Sequence, residues 1–252
     1  MRGISELPPP PPPPPPSVEP AGLEAAAPAY VAHLADPETV LVGALHGSPA
    51  RVLARHGCVR RELPGLEMPY RKFVFEGAGL PACGLPGNEG DGRGQGLKWG
   101  VVRGRDFALV RSRSVIPRTD AALALLPSVA VFSQPREGEE GEEEDDGGRP
   151  IAWAFLGLDA SLTSLHVEPE WRGRGLAKAV AVKLFRDEMG SFRGVGGEGE
   201  MDGLKHADVA LDNHESTGVC VSLGGKGAWD LYWVRVSLER VRDVKSVRKS
   251  GR

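Results

Sequence analysis

Cysteine is scarce in this chain of 252 residues: Cys58, Cys83 and Cys220 are the only three. Their number is odd and no two share a metal-ligand spacing, so neither a disulfide framework nor a metal site is expected. A reducing intracellular compartment, cytoplasmic or nuclear, is the expected location. Long apolar runs are missing too. None approaches the ~18 residues of a membrane-spanning helix, and no membrane partner is expected. Residues 1–7 lead into proline with no apolar stretch, which does not fit a secretory signal. A strong charge of one sign is also lacking. The net charge is −3, but eight acids lie between Glu137 and Asp146 with no base among them. Set those aside and 26 acids face 31 bases, a balance of +5. That mild excess suits a small anionic ligand and is too weak to argue for nucleic acid.

The chain is rich, by contrast, in punctuation. Pro8 to Pro16 is an unbroken proline run. It is expected to be a solvated polyproline II tail, with an SH3- or WW-type partner as the functional alternative. Residues 29–76 form a small segment or partial lobe with a helix at 50–56 and a strand at 71–75; at about 50 residues it is marginal alone and is expected to pack on the rest of the chain. Residues 77–96 read as a linker. Its Gly92, Gly94 and Gly96 imitate a phosphate loop, but a strand-like run comes next where a helix N-terminus is needed.

From residue 97 the order is regular. Strands are expected at 99–102, 128–132, 151–157, 161–167, 207–211 and 229–236, the last leading into a seventh. Helices are expected at 106–112, at 121–126 with Thr119 as N-cap, at 176–189, and weakly at 215–223. The acidic stretch 137–148 and the segment 190–203 read as disordered or flexible insertions. Residues 243–252 read as a basic tail. The fold class is therefore α/β (α+β), with a mixed, mostly antiparallel sheet flanked by helices over residues 97–242.

The most informative stretch runs Val167-Glu168-Pro169-Glu170-Trp171-Arg172-Gly173-Arg174-Gly175-Leu176-Ala177. A strand enters it and an amphipathic helix leaves it. The first N–H groups of a helix lack intrahelical partners and the helix dipole is positive there, so a glycine turn at this point makes an anion site. A Walker loop would place Gly-Lys-Ser/Thr at the helix start, where Gly175-Leu176-Ala177 stand. A dinucleotide fingerprint needs a third glycine where Lys178 stands.

The remaining spacing, Arg172-x-x-Gly175-x-Ala177 after a strand, resembles the acetyl-CoA pyrophosphate loop of the GNAT superfamily of N-acetyltransferases. Residues 151–185 look most like its glycine N-acyltransferase-like branch. The resemblance implies an acyl-CoA co-substrate, with Arg172, Gly173, Arg174, Gly175, Leu176 and Ala177 around its pyrophosphate. It also implies that the fourth strand splays from the fifth. Backbone groups of Leu165, His166 and Val167 would then bind the pantetheine and polarise the thioester carbonyl. Asn213, with Ser216, Val219, Leu223 and Gly224, resembles the second cofactor motif; an N-cap role for Asn213 is equally good physics. Where many members carry a tyrosine as the acid for the leaving thiolate, this chain has Cys220, a weak donor that a helix would equally bury as a small residue. For the general base, Glu168 is the first choice and His166 the second, although an unbroken alternation puts them on the strand face opposite Thr163, Leu165 and Val167. The expected activity is transfer of an acyl group to an amine by direct attack in a ternary complex. The acceptor would be a small amine, an amino acid or a peptide, with Trp99, Trp229, Tyr232 and Trp233 available to line its site. A GNAT-like acyl-CoA-binding or scaffold protein without turnover is the alternative.

Overall fold

Alternation along the central strands decides what each face of the sheet buries. The computed structural model describes residues 36–62, 65–76, 79–82, 84–85, 96–114, 116, 118–133, 148–188 and 204–250. The proline run, most of the 77–96 segment, the acidic block and the 190–203 insertion lie outside them. In β4 (Ser128–Ser133), Val129 and Val131 point to one face, and Ala130 and Phe132 to the other. In β5 (Pro150–Leu156), Ala152, Ala154 and Leu156 share the first face, while Trp153 and Phe155 share the second. A strand buried on both faces must be apolar throughout, and every residue of β5 is buried.

The eight strands form one sheet in the order β1-β8-β2-β7-β6-β5-β4-β3. The other strands are β1 (Thr39–His46), β2 (Tyr70–Glu76), β3 (Leu97–Gly100), β6 (Ser161–Val167), β7 (Leu204–Ala210) and β8 (Lys226–Ser237). Every neighbouring pair is antiparallel except β6 and β7, which run parallel. Helix α4 (Leu176–Glu188) covers the first face, packing over β4, β5 and β6 through Val180, Leu184 and Phe185. Two short helices, α2 (Phe107–Ser112) and α3 (Asp120–Ala124), cover the second face with Val110 and Leu123. Thr119 caps α3 by accepting from the Ala122 N–H, as its position suggested.

The mixed, mostly antiparallel sheet flanked by helices is the architecture expected. Three features differ in detail. Residues 39–46, not expected as a strand, form β1 on the edge of the sheet beside β8. Helix α1 (Gly47–Arg55) and Val59 pack there with Val234 and Val236. Strand β2 lies between β7 and β8, so the N-terminal residues belong to the same sheet. The expected seventh strand and basic tail are instead α6 (Leu238–Ser250). Ser237 accepts from the Arg240 N–H at its start, and Val241 and Val244 pack on the Val234 cluster. These valines are three positions apart, about one helical turn, so a helix buries both.

Candidate active site

Strands β6 and β7 start side by side and then part. Their parallel pairing covers only Ser161 with His206 and Leu162 with Ala207. The cause is a β-bulge in β6. Phe155 sits opposite Thr163 and Trp153 opposite His166, so Ser164 and Leu165 share the single partner Ala154. Ser164 takes φ 50°, a left-handed conformation rare for a residue with a side chain. A bulge bends its strand and increases the local twist. Glu168 N–H donates to the Ile151 carbonyl at 2.9 Å, which makes Val167 opposite Ala152 a non-hydrogen-bonded pair. The backbone groups of Val167 therefore turn away from β5 into the widening slot, and those of Leu165 do the same by alternation. His166 backbone groups face β5, so of the three residues expected to offer main-chain bonds only Leu165 and Val167 turn toward the slot, and the Val167 carbonyl already accepts from Arg172 Nε at 3.1 Å.

The bulge also corrects the expected faces. Thr163 and His166 share the second face, with Phe155 and Trp153, while Leu162, Leu165 and Val167 pack on the first. The His166 ring stacks on Trp153 at 4.7 Å between centroids. Glu168 lies on the same side and is 8% exposed. Its two oxygens lie 3.0 and 3.3 Å from Nε of Arg113, the residue that ends α2. His166 Nε2 faces Glu168 Oε2 at 3.8 Å and is buried with no hydrogen-bond partner among the described residues. Burial lowers the His166 pKa from its ordinary 6.5; Glu168 opposes this, and Arg172 and Arg113 reinforce it. The imidazole is thus neutral at neutral pH. A second arginine of the same loop, Arg118, donates to the Thr163 hydroxyl at 2.9 Å.

Beyond β6, Pro169–Trp171 makes one 3-10 turn and hands over to the glycine loop. Gly173 has φ 73° and Gly175 φ 80°. A Cβ at either would meet nothing within 4 Å, so it is the backbone conformation, not crowding, that calls for glycine. Arg172 donates through Nε to the Val167 carbonyl at 3.1 Å, and Arg174 donates to the Glu170 carbonyl at 3.2 Å while lying over the Trp171 ring. Both arginines brace the loop. Leu176 is 1% exposed and anchors the start of α4 in the core. The first bond into that helix runs from Ala179 N–H to the Gly175 carbonyl at 3.0 Å. The N–H groups of Leu176, Ala177 and Lys178 therefore have no intrahelical acceptor, at the end of the slot.

Asn213 lies just past β7 and caps α5 (His214–Ser222), its side-chain oxygen accepting from Ser216 N–H at 2.9 Å. Gly224 has φ 80° and Gly225 N–H returns to the Cys220 carbonyl at 2.9 Å, so the glycine pair closes the helix. Asn213→Ala should cost about 0.5–2 kcal/mol of stability from the lost cap, measured by urea unfolding. If the side chain also holds a ligand, acyl-CoA affinity falls as well.

Cys220 is buried in the core beneath α5, and burial pushes its thiol up to about 12. Such a thiol is a poor proton donor and a poor nucleophile, which corrects its expected role as the acid. Tyr70, missed in the sequence, stands at the start of β2 opposite Ala210, the last residue of β7. Burial and nearby Asp212 raise its phenol pKa. The aromatic lining expected for the acceptor does not assemble. Trp99 lies on β3 at one edge of the sheet, Trp229 and Trp233 are exposed on β8, and Tyr232 packs in the Val234 cluster. The loop arginines carried a signal: Arg111, Arg113 and Arg118 fall between Asp106 and Asp120 with no acid among them.

At the paired end of the slot, Lys72 donates to Asp208 at 2.6 Å and to His206 Nδ1 at 3.0 Å, while His206 Nε2 donates to the Asp159 carbonyl at 2.9 Å. Burial would raise the Asp159 carboxyl, but hydrogen bonds from the Ser161 hydroxyl and N–H, with His206 nearby, outweigh it and hold it below the ordinary value. Asp159, His206 and Asp208 bring ligand atoms within 4.8 Å of one another. The Lys72 ammonium already supplies the positive charge there.

Fold and site define a mixed α/β sheet that opens between two parallel strands and ends in a glycine turn at a helix N-terminus. Among solved structures, it is similar to a Drosophila melanogaster protein from structural genomics, with a TM-score of 0.56 at 15% identity over 80% of this chain and 61% of that one. The chain thus spans about three fifths of the length of that relative. A GCN5-related N-acetyltransferase from Kribbella flavida gives 0.49 at 15% identity, over 85% of this chain and 74% of that one. One from Sphaerobacter thermophilus gives 0.46 at 16% identity, over 86% and 69%. No protein-family model matches the chain, and neither does any curated protein.

Proposed function

We propose that the protein is a GNAT-type, acyl-CoA-dependent N-acyltransferase. The observation that carries this reading is the slot that opens after two residue pairs of β6 and β7 and ends at Gly173, Gly175 and the N-terminus of α4. A phosphate cradle at the end of a slot with a free strand edge suits a long ligand with a pyrophosphate at one end. The N–H groups of Leu176, Ala177 and Lys178 would hold the pyrophosphate. Main-chain groups of Leu165 and Val167 would hold the pantetheine, and an N–H on this edge would stabilise the oxyanion. Acyl-CoA would supply the activated thioester.

His166 takes the place of Glu168 as the base. The Glu168 carboxylate is engaged by Arg113, whereas the neutral imidazole has a free lone pair. Glu168 facing Nε2 favours the Nε2–H tautomer, leaves Nδ1 to accept the amine proton, and stabilises the resulting imidazolium. The buried Cys220 thiol supports direct attack over an acyl-cysteine intermediate. Its burial also favours one second reading, an acyl-CoA-binding protein without turnover, because α5 then offers no acid to the leaving thiolate.

Release of free thiol from acetyl-CoA across a panel of amines separates the two. Thiol release that depends on the amine supports the transferase; saturable binding without it supports the second reading. In the active enzyme, the acid limb of kcat/KM should fall below pH 6.5, because the His166 pKa is lowered and the base must be unprotonated. His166→Gln should lose about 100-fold in kcat and erase that limb. An unchanged limb in the variant would remove His166 from the mechanism.

A further inference from the structure

Strand β1 leaves one edge of the sheet open, and its sequence does little to close it. Edges are usually guarded by a charge, a proline or shortness. The far edge, β3, has four residues and carries Lys98. Residues 39–46 read Thr-Val-Leu-Val-Gly-Ala-Leu-His, with no lysine, arginine, carboxylate or proline. Only a bulge at Gly43 and Ala44 bends the second half of the strand. Val40 is 42% exposed and Leu41 45%, on opposite faces. Hydrogen bonds on the far side of β8 fix which backbone groups of β1 are open. Arg60 N–H donates to the Arg235 carbonyl and Ser237 N–H to the Cys58 carbonyl, both at 2.8 Å. The N–H and C=O of a strand residue point to the same side, so Arg235 and Ser237 look away from β1, and Val234 and Val236 look toward it. These two valines stand opposite Val42 and Val40. The main-chain groups of Val40 and Val42 are therefore spent on β8. Those of Leu41 point out of the sheet, with no strand beside them among the described residues.

We propose that this edge pairs with the same edge of a second copy, antiparallel about a two-fold axis at Leu41, so that two sheets become one. In this register the strand is its own complement. Leu41 faces Leu41 of the second copy and exchanges both main-chain bonds with it. Position 39 faces position 43, where the Thr39 carbonyl accepts from the Gly43 N–H. The Thr39 N–H is already given to the Asp36 carbonyl at 3.1 Å, so nothing is lost there. Position 40 faces position 42. Val40 of each copy then packs against Val42 of the other, on the face where Val42 joins the Val234 cluster. On the opposite face the two Leu41 side chains meet beside Trp233, whose ring lies across Gly43; a Cβ at Gly43 would fall 2.4 Å from it. Both exposed apolar side chains of β1 are covered at once. No like charges are opposed, which would be destabilising. Residues 39–43 carry none, and Asp36 and Glu38 are paired with Arg60 and Arg242 of their own chain. Such an isologous contact closes at two copies.

Residues 39–43 alone make a small contact, so a dissociation constant on the order of micromolar is expected. Analytical ultracentrifugation of the full-length protein should show the mass rising from one chain toward two as concentration goes from about 1 to about 100 µM. Leu41→Lys and Leu41→Glu each set two like charges face to face on the axis, and each should weaken the dimer at least about tenfold. Leu41 is half-exposed, so both variants should keep the wild-type melting curve, which checks that they fold. Mixed in equal amounts, the two variants should dimerise again, because the lysine of one then faces the glutamate of the other. That rescue requires position 41 to face itself. A wild-type protein that keeps the mass of one chain at about 100 µM would overturn the inference. A dimer that Leu41→Lys leaves unchanged would do the same, since the contact would lie elsewhere. A dimer lost in both variants and not regained in the mixture would overturn the pairing at Leu41. None of these outcomes bears on the transferase reading, because β8, β2 and β7 stand between β1 and the slot.

Discussion

Gly175→Glu should abolish acyl-CoA binding, with a loss of at least about 100-fold in affinity measured by calorimetric titration. Two effects add. The first is conformational: at φ 80° any residue with a Cβ is strained by about 1–2 kcal/mol. The second is electrostatic. A carboxylate one residue ahead of Leu176 competes for the same N–H groups and the same positive helix end that would take a pyrophosphate. Gly175→Ala separates the two, because open space around the position leaves strain as its main cost. The alanine variant should lose affinity several-fold and the glutamate variant far more. Equal losses in both would mean that backbone shape alone matters and that no anion sits on the loop. Unaltered binding in the glutamate variant would place the ligand elsewhere.

The second large effect concerns stability. Lys72 and Asp208 are 12% and 10% exposed in their side chains and 2.6 Å apart. Removing one member of a buried pair leaves the other charge without compensation and typically costs about 3–5 kcal/mol. Lys72→Met should therefore lower the urea midpoint strongly with little change in slope. Replacing both members by apolar residues of similar size removes the stranded charge, so Lys72→Met with Asp208→Leu should recover at least half of the loss. A double variant no better than the single one would show that the pair holds β2 and β7 in register through specific bonds rather than through charge balance.

Much of the site was legible because it is local. Strand 161–167, the turn and the helix from Leu176 are set by apolar alternation, two glycines and a 3.6-residue period, all visible within some thirty residues. Asn213 was legible as a cap for the same reason. The bulge at Ser164 was not, since no glycine marks it and its conformation is set by pairing with β5. That one extra residue decides which face carries Thr163 and His166, so the partnership of His166 with Trp153 and of Arg118 with Thr163 could not be read ahead of the structure. Strand β1 was hidden by its burial pattern, which lacks a clean alternation, and by Gly43 in its middle. Helix α6 was hidden because charges outnumber its apolar contacts, Val241 and Val244. In each of these cases the deciding contact is packing against another strand, β5 or β8, which the local pattern does not show.

The placement of β2 between β7 and β8 has a consequence for how the chain is made. Residues 39–46 and 70–76 leave the ribosome more than a hundred residues before their partners at 204–210 and 226–237. Until those partners emerge these two strands have no edge to join, and closing loops of well over a hundred residues is slow. A fragment beginning at residue 97 would leave β7 and β8 separated by a missing strand, each with an open edge prone to pairing with other chains. Residues 97–237 therefore cannot be cut free of β1 and β2 without opening the sheet.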